Sequence, residues 1–297
     1  MPGAVAQGLI WGIMAIGVYI TYKILDVADL TVDGSMCTGG AVSIMMMLNG
    51  YNVWVSLLAA FIAGMLAGLV TGIFHTFMGI PAILAGILTQ LALYSINLKI
   101  MGRANQAISV MNYDLLVSLR NVKNVPFYQN SIFVVAIFCI VIIGGLYWFF
   151  GTELGCSLRA TGCNPNMSRA QGINTNFNIV LGLMISNGLV ALASALCSQY
   201  QGFADINMGR GAIVIGLAAV IIGDVLFGKM CAGKKIAFAY TLLSVIAGAI
   251  LYYLVLSVVL WLKFPSDDLK LFSAIVVAIF LSIPYLKAKY SRKGVAK

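Results

Sequence analysis

Long apolar runs alternate with short polar intervals along the whole chain. Nine such runs can be marked, at residues 4–25, 35–48, 53–74, 81–100, 131–150, 177–196, 211–227, 236–262 and 271–286. A helix needs about 20 apolar residues to cross a bilayer, so most of these predict transmembrane helices. The runs 35–48 and 211–227 are short for that purpose and carry glycines, which predicts broken or re-entrant helices. The expected architecture is an all-α integral membrane protein of about eight or nine transmembrane segments. In the 53–74 run, Gly64, Gly68 and Gly72 recur at every fourth position, which puts them on one helix face and lets a neighbour approach closely.

The polar intervals carry the rest of the pattern. The interval 153–175 is amphipathic and contains a short helix with its own ends. Asn164 suits the N-cap, Pro165 the first helical position and Gly172 a left-handed stop. A two-turn helix does not persist alone in water. Held between two spans, it is either a knob for a partner to grip or an ordinary solvated loop helix. The longest polar interval is 102–130.

A second pattern repeats. Run 4–25 and its acidic turn lead into a short glycine-bearing segment (DVADLTVDGSMCTGGAV), and run 177–196 leads into GFADINMGRGAIVIGLAAV. Counted through the membrane, the two units travel in opposite directions, the layout of an inverted repeat. The chain is then one transmembrane domain: a first repeat at about 4–102, a linking segment at 153–175, a second repeat at about 177–286 and a basic tail at 287–297.

Composition narrows the function. The chain is 61% hydrophobic and 9% charged, with a mean hydropathy of +1.00, more apolar surface than a soluble domain can bury. The net charge of +9 comes from residues at span ends, which set topology and make nucleic acid an unsuitable partner. With the tail in the cytoplasm, most basic residues, including Lys23, Arg159 and Arg169, fall inside, and the N-terminus falls outside. No basic stretch precedes the first run, which predicts an uncleaved span. The six cysteines have no CxxC spacing, and His75 is the single histidine, so neither a disulfide framework nor a metal site is expected.

Candidate chemistry is sparse. The stretch GDVLFGKM at 223–230 is one letter from a phosphate-binding loop, but Met230 lacks the hydroxyl that would hold magnesium. Asp26, Asp29 and Asp33 suggest a carboxylate cluster, yet no second acidic or histidine cluster accompanies them, and no enzyme activity is expected. The simpler role for Asp33 is N-cap of the 35–48 helix. With few ionisable residues inside spans, an ion-coupled carrier is disfavoured and an external engine acting on the knob is favoured.

The stretches ILDVADLTVDGSM, IPAILAGILTQLALYSINLKIMGRAN, ATGCNPNMSRAQGIN, SQYQGFADINMGRGAIVIGLAAVIIGD and PSDDLKLFSAI resemble ABC-type importer permeases of the branched-chain amino acid/ribose permease superfamily. Within that superfamily they are most similar to the tryptophan/tyrosine-type permease group. The resemblance covers nearly the whole chain and implies a type II ABC importer permease-like fold in the cell membrane. It also implies a second permease copy (a homodimer), cytosolic ABC ATPase subunits that bind the ATP, an extracytoplasmic substrate-binding protein, and no cofactor in the chain itself. The family's coupling helix falls on 164–172, with Arg159, Gly162, Asn164, Pro165, Met167, Arg169 and Gly172 as the ATPase-coupling residues. Cys163 departs from the acidic or polar residue usual there.

On this reading, Asp33, Ser35, Tyr94, Asn97, Asn187, Gln199, Tyr200 and Asp205 line a translocation path or make interhelical contacts. Arg103, Arg120, Lys123 and Arg210 dock the binding protein or meet lipid headgroups. The rival reading is a stand-alone secondary transporter with inverted repeats, which would transport without an ATPase. A scaffold subunit that moves nothing is a third.

Overall fold

The computed structural model describes residues 2–109, 113, 115–119, 130–231, 237–261 and six single positions between 271 and 282. The expected segment 271–286 and the tail 287–297 therefore lie outside the described residues, apart from those positions. Among the described residues there are ten α-helices and one two-stranded ribbon.

Helix α1 (Pro2–Tyr19) ends in a π-helical turn, Ile20–Ile24. It is apolar on all sides and sits at the centre of the bundle, with Ile10, Ile13, Met14 and Ile16 fully buried. Residues 25–30 are not helical, and Asp26 takes a positive φ of 55° there. Helices α2 (Thr31–Leu48), α3 (Val53–Thr76) and α4 (Ala82–Met101) follow. Strand β1 (Asn105–Ala107) comes next, then α5 (Ser131–Phe149), α6 (Glu153–Cys163) and α7 (Pro165–Ala170). The chain continues through α8 (Thr175–Gln201), β2 (Phe203–Asp205), α9 (Ala212–Cys231) and α10 (Ala237–Trp261). Among the described residues six helices are long and apolar enough to cross a membrane, and α9 adds a shorter apolar stretch at Ala212–Phe227.

Close contacts give the helix directions. Gly17 of α1 packs on Ser186 and Val190 of α8, while Gly3 lies against the Tyr200 hydroxyl, so α1 and α8 are antiparallel. Ser35 meets Asn187 and Gly39 meets Ala191, so α2 runs parallel to α8. Gly216 of α9 abuts Met14 and Val18, and Lys23 pairs with Asp224 at 3.3 Å, so α9 runs back alongside α1. One unit descends through α1 and returns through α2. The other ascends through α8 and returns through α9. The two units therefore run in opposite directions, the layout that an inverted repeat requires.

One expectation needs correction, and two features add to the rest. The segment expected as a short broken helix at 35–48 is continuous over Thr31–Leu48, and the interruption precedes it at residues 25–30. Gly39 and Gly40 do not break α2; they admit Ala191 and the Met208 sulfur. The polar stretch at 199–210 carries structure of its own. It finishes α8, forms β2 and then passes down the side of α2, where Gly209 lies against the Asp33 carbonyl. The all-α architecture holds, with one small ribbon added, in which Asn105, Gln106 and Ala107 pair antiparallel with Asp205, Ala204 and Phe203. The stripe of Gly64, Gly68 and Gly72 does what its spacing predicts. A Cβ on each would collide with α8 at Asn187, Leu183 and Val180 respectively.

Candidate functional site

Two regions hold the residues that the sequence singled out. The first is the knob made by α6 and α7. Asn164 caps α7 as expected, its Oδ1 accepting from the Met167 N–H at 3.1 Å, with Pro165 at the first position. Gly172 follows the helix at φ +81° and closes it. The helix is one residue shorter than the expected 165–171, because Gln171 serves as the C-cap. Arg169 bonds the Thr175 hydroxyl at 2.7 Å and so ties the knob to the start of α8. Met167 is 63% exposed, a large apolar side chain presented outward.

Gly162 is the foot of the knob. It packs against the Ile24 carbonyl and Leu25, where the π-helical turn of α1 gives way to the non-helical 25–30 stretch. Arg159 does not project from the knob. Its guanidinium lies over the rings of Phe150 at 5.2 Å and Phe238 at 4.2 Å, linking α6 to the end of α5 and the start of α10.

The second region is a polar joint in the middle of the bundle. Asp29 accepts from the Thr31 N–H at 2.9 Å and from the Asn187 amide at 2.7 Å, and Ser35 donates to the Asn187 Oδ1 at 2.6 Å. Ser35 and Asn187 are therefore fully buried partners of one another, joining the two repeats. Asp33 does not cap α2. Its carboxylate accepts from the Gly211 and Ile213 N–H groups, each at 3.1 Å, and so caps α9. The reason is geometric: Asp33 already lies inside the first turn of α2, and Asp29 holds the Thr31 N–H. An aspartate at the start of α9 also sits favourably in the helix dipole.

The remaining expected residues divide. Asp33, Tyr94, Asn97 and Arg210 line one cavity of about 200 Å³, together with Gln90 and Leu91. Asn97 is fully buried, and neither polar atom of its side chain has a partner. Gln199 is buried in the same unpartnered way but does not line that cavity, and Tyr200 bonds the Gly3 carbonyl at 3.3 Å. Asp205 belongs to the ribbon, where its side chain takes the Asn207 N–H at 2.7 Å. Arg103 is exposed just past α4, Arg210 stands at the cavity, and Arg120 and Lys123 lie outside the described residues.

A model for the family described as "Branched-chain amino acid transport system / permease component" matches residues 2–283. The chain belongs to this permease family. Its membership agrees with the resemblance to ABC-type importer permeases read from the sequence, and with a multi-pass protein of the cell membrane. The permease is 41% identical to a tyrosine transport system permease protein of Clostridioides difficile over 276 residues, 93% of this chain and 88% of that one. It is 26% identical to a fructose import permease protein of Bifidobacterium longum, covering 91% and 74% of the two chains. Its fold is similar to that in the structure of PsaBC from Streptococcus pneumoniae in complex with Fab. There the TM-score is 0.55 at 17% identity, with 97% and 94% of the chains covered.

Sequence reasoning missed α6 as a helix, with Thr152 as its cap, and the Asn174 cap of α8. Both caps were open to a search for Thr or Asn ahead of a run. The service of Asp33 to α9 carried no local signal.

Proposed function

We propose that this permease is the membrane-spanning subunit of an ATP-driven importer for an amino acid of the tyrosine kind. Separate cytosolic ATPase subunits bind the ATP and grip α6 and α7, an extracytoplasmic binding protein delivers the solute, and two copies of the permease enclose the path. The permease carries no cofactor. The observation that carries this reading is the seat of the knob. Force applied at Met167 and Asn164 reaches Gly162, which bears on the end of α1 at Ile24. From there it reaches the non-helical 25–30 stretch and the Asp29–Asn187–Ser35 joint. The 25–30 stretch is the flexible element, since it lacks the helical hydrogen bonds on either side. Its displacement moves α2, and α2 carries the cap of α9. Access to the path then alternates as the two repeats rock. The tyrosine relative and the polar cavity support an amino acid as cargo.

The test is uptake of labelled L-tyrosine into liposomes that hold the complete transporter. Uptake is expected to require ATP and the binding protein, and Gly162→Leu is expected to leave the permease inserted and ATP turnover running while uptake fails. Uptake by the permease alone, without ATP, would establish the secondary-transporter reading instead.

A further inference from the structure

The cavity between α2, α4 and the 206–210 stretch carries two opposite charges that are not used on each other. Asp33 and Arg210 both line it, and no ion pair joins them. The Asp33 carboxylate accepts from the Gly211 and Ile213 N–H groups at the start of α9 and still lines the cavity. Arg210 is exposed at the rim of the cavity, within reach of an anionic group placed there. The wall also holds the Asn97 amide, fully buried with both polar atoms unpartnered. A buried amide left in that state costs free energy unless something bonds it. The mouth is formed by Leu91 and by Tyr94, which is 47% exposed.

We propose that this cavity is a way-station for the zwitterionic head of an α-amino acid. The ligand carboxylate pairs with Arg210, its ammonium with Asp33, and Asn97 supplies the remaining hydrogen bond. The side chain lies against Leu91 and Tyr94 at the mouth, which accepts different side chains because the fixed charges read only the head. The proposal rests on the amino acid cargo argued above and adds the residues that recognise it. It also gives Arg210 a role within the path in place of docking a binding protein.

The test is protection of a thiol. Leu91→Cys is introduced into the full-length permease with its other cysteines changed to serine, in membrane vesicles, and its alkylation rate is measured. L-tyrosine and L-leucine are each expected to slow alkylation, while tyramine, which lacks the carboxylate, and the deaminated analogue of tyrosine are not. Adding Arg210→Gln is expected to weaken protection about tenfold, and Arg210→Lys to restore part of it, as a lost and a partly replaced charge-assisted contact would. Equal protection by tyramine, or none by either amino acid, overturns the proposal. If the serine background does not insert, the KM for L-tyrosine uptake decides. Arg210→Gln is expected to raise it about tenfold with Arg210→Lys intermediate, and values within about twofold of wild type overturn the proposal. Protection by leucine without ATP-driven tyrosine uptake would sink the tyrosine reading and leave the way-station standing. Uptake without protection would do the reverse.

Discussion

The knob and the mid-bundle joint are both built from capped helix ends, but the caps come from different distances. At the knob, Asn164, Thr152 and Asn174 each bond a backbone N–H three residues further on. At the joint, Asp33 reaches N–H groups 178 and 180 residues away, and Asp29 and Ser35 meet Asn187 across 158 and 152 residues. A locally capped helix keeps its shape when its surroundings move, as a piece handled by another protein must. A helix capped by its neighbour keeps its start only while the neighbour stays in place. The shape of α7 is thus independent of the transport state, whereas the start of α9 depends on the position of α2.

The largest effect that would break this contrast is expected at Asp33. Asp33→Ala leaves two N–H groups at the half-buried start of α9 without their acceptor, a loss of about 2 kcal/mol from unmet donors and the helix dipole. Melting of the detergent-solubilised permease should fall clearly below wild type; an unchanged melting temperature would show that α9 does not need the cap. Asn187→Leu comes next, at about 2 kcal/mol, because it takes a donor from Asp29 and a partner from Ser35. Asn187→Asp is expected to be no better, since it sets a second carboxyl beside Asp29.

Smaller stability effects are expected at the knob. Asn164→Ala removes one local cap and should cost about 1 kcal/mol, with uptake falling more than melting does. Arg159→Gln gives up the stacking on Phe150 and Phe238 at about 0.5–1 kcal/mol and should loosen α6 from α10. If either knob variant melted as low as Asp33→Ala, the division between the two regions would fail.

The same difference decides what could be read in advance. Asn164, Pro165 and Gly172 announce a helix within nine letters, and the glycines of α3 announce a contact face by their spacing alone. Asp33 looks like a first-turn acid of its own helix, and it is one, yet its bonds go elsewhere. The ribbon is also silent in the sequence, because three-residue strands are too short to show alternation. Likewise, Asn97 and Arg210 are far apart in sequence and come to line one cavity only because the 206–210 stretch runs down beside α2.

The ribbon sets where the molecule is able to open. Backbone bonds from Ile108 to Gly202 and from Ile206 to Ala104, both 2.9 Å, extend the pairing of β1 with β2 and fasten the end of α4 to the end of α8. Such a ladder resists sliding, so the halves are clasped there like the sprung end of a clothes-peg. At the opposite tip the contacts are of another kind, Gly162 against Ile24, Gly182 against the Leu25 side chain and Lys23 paired with Asp224, and such contacts slide more readily than a ladder.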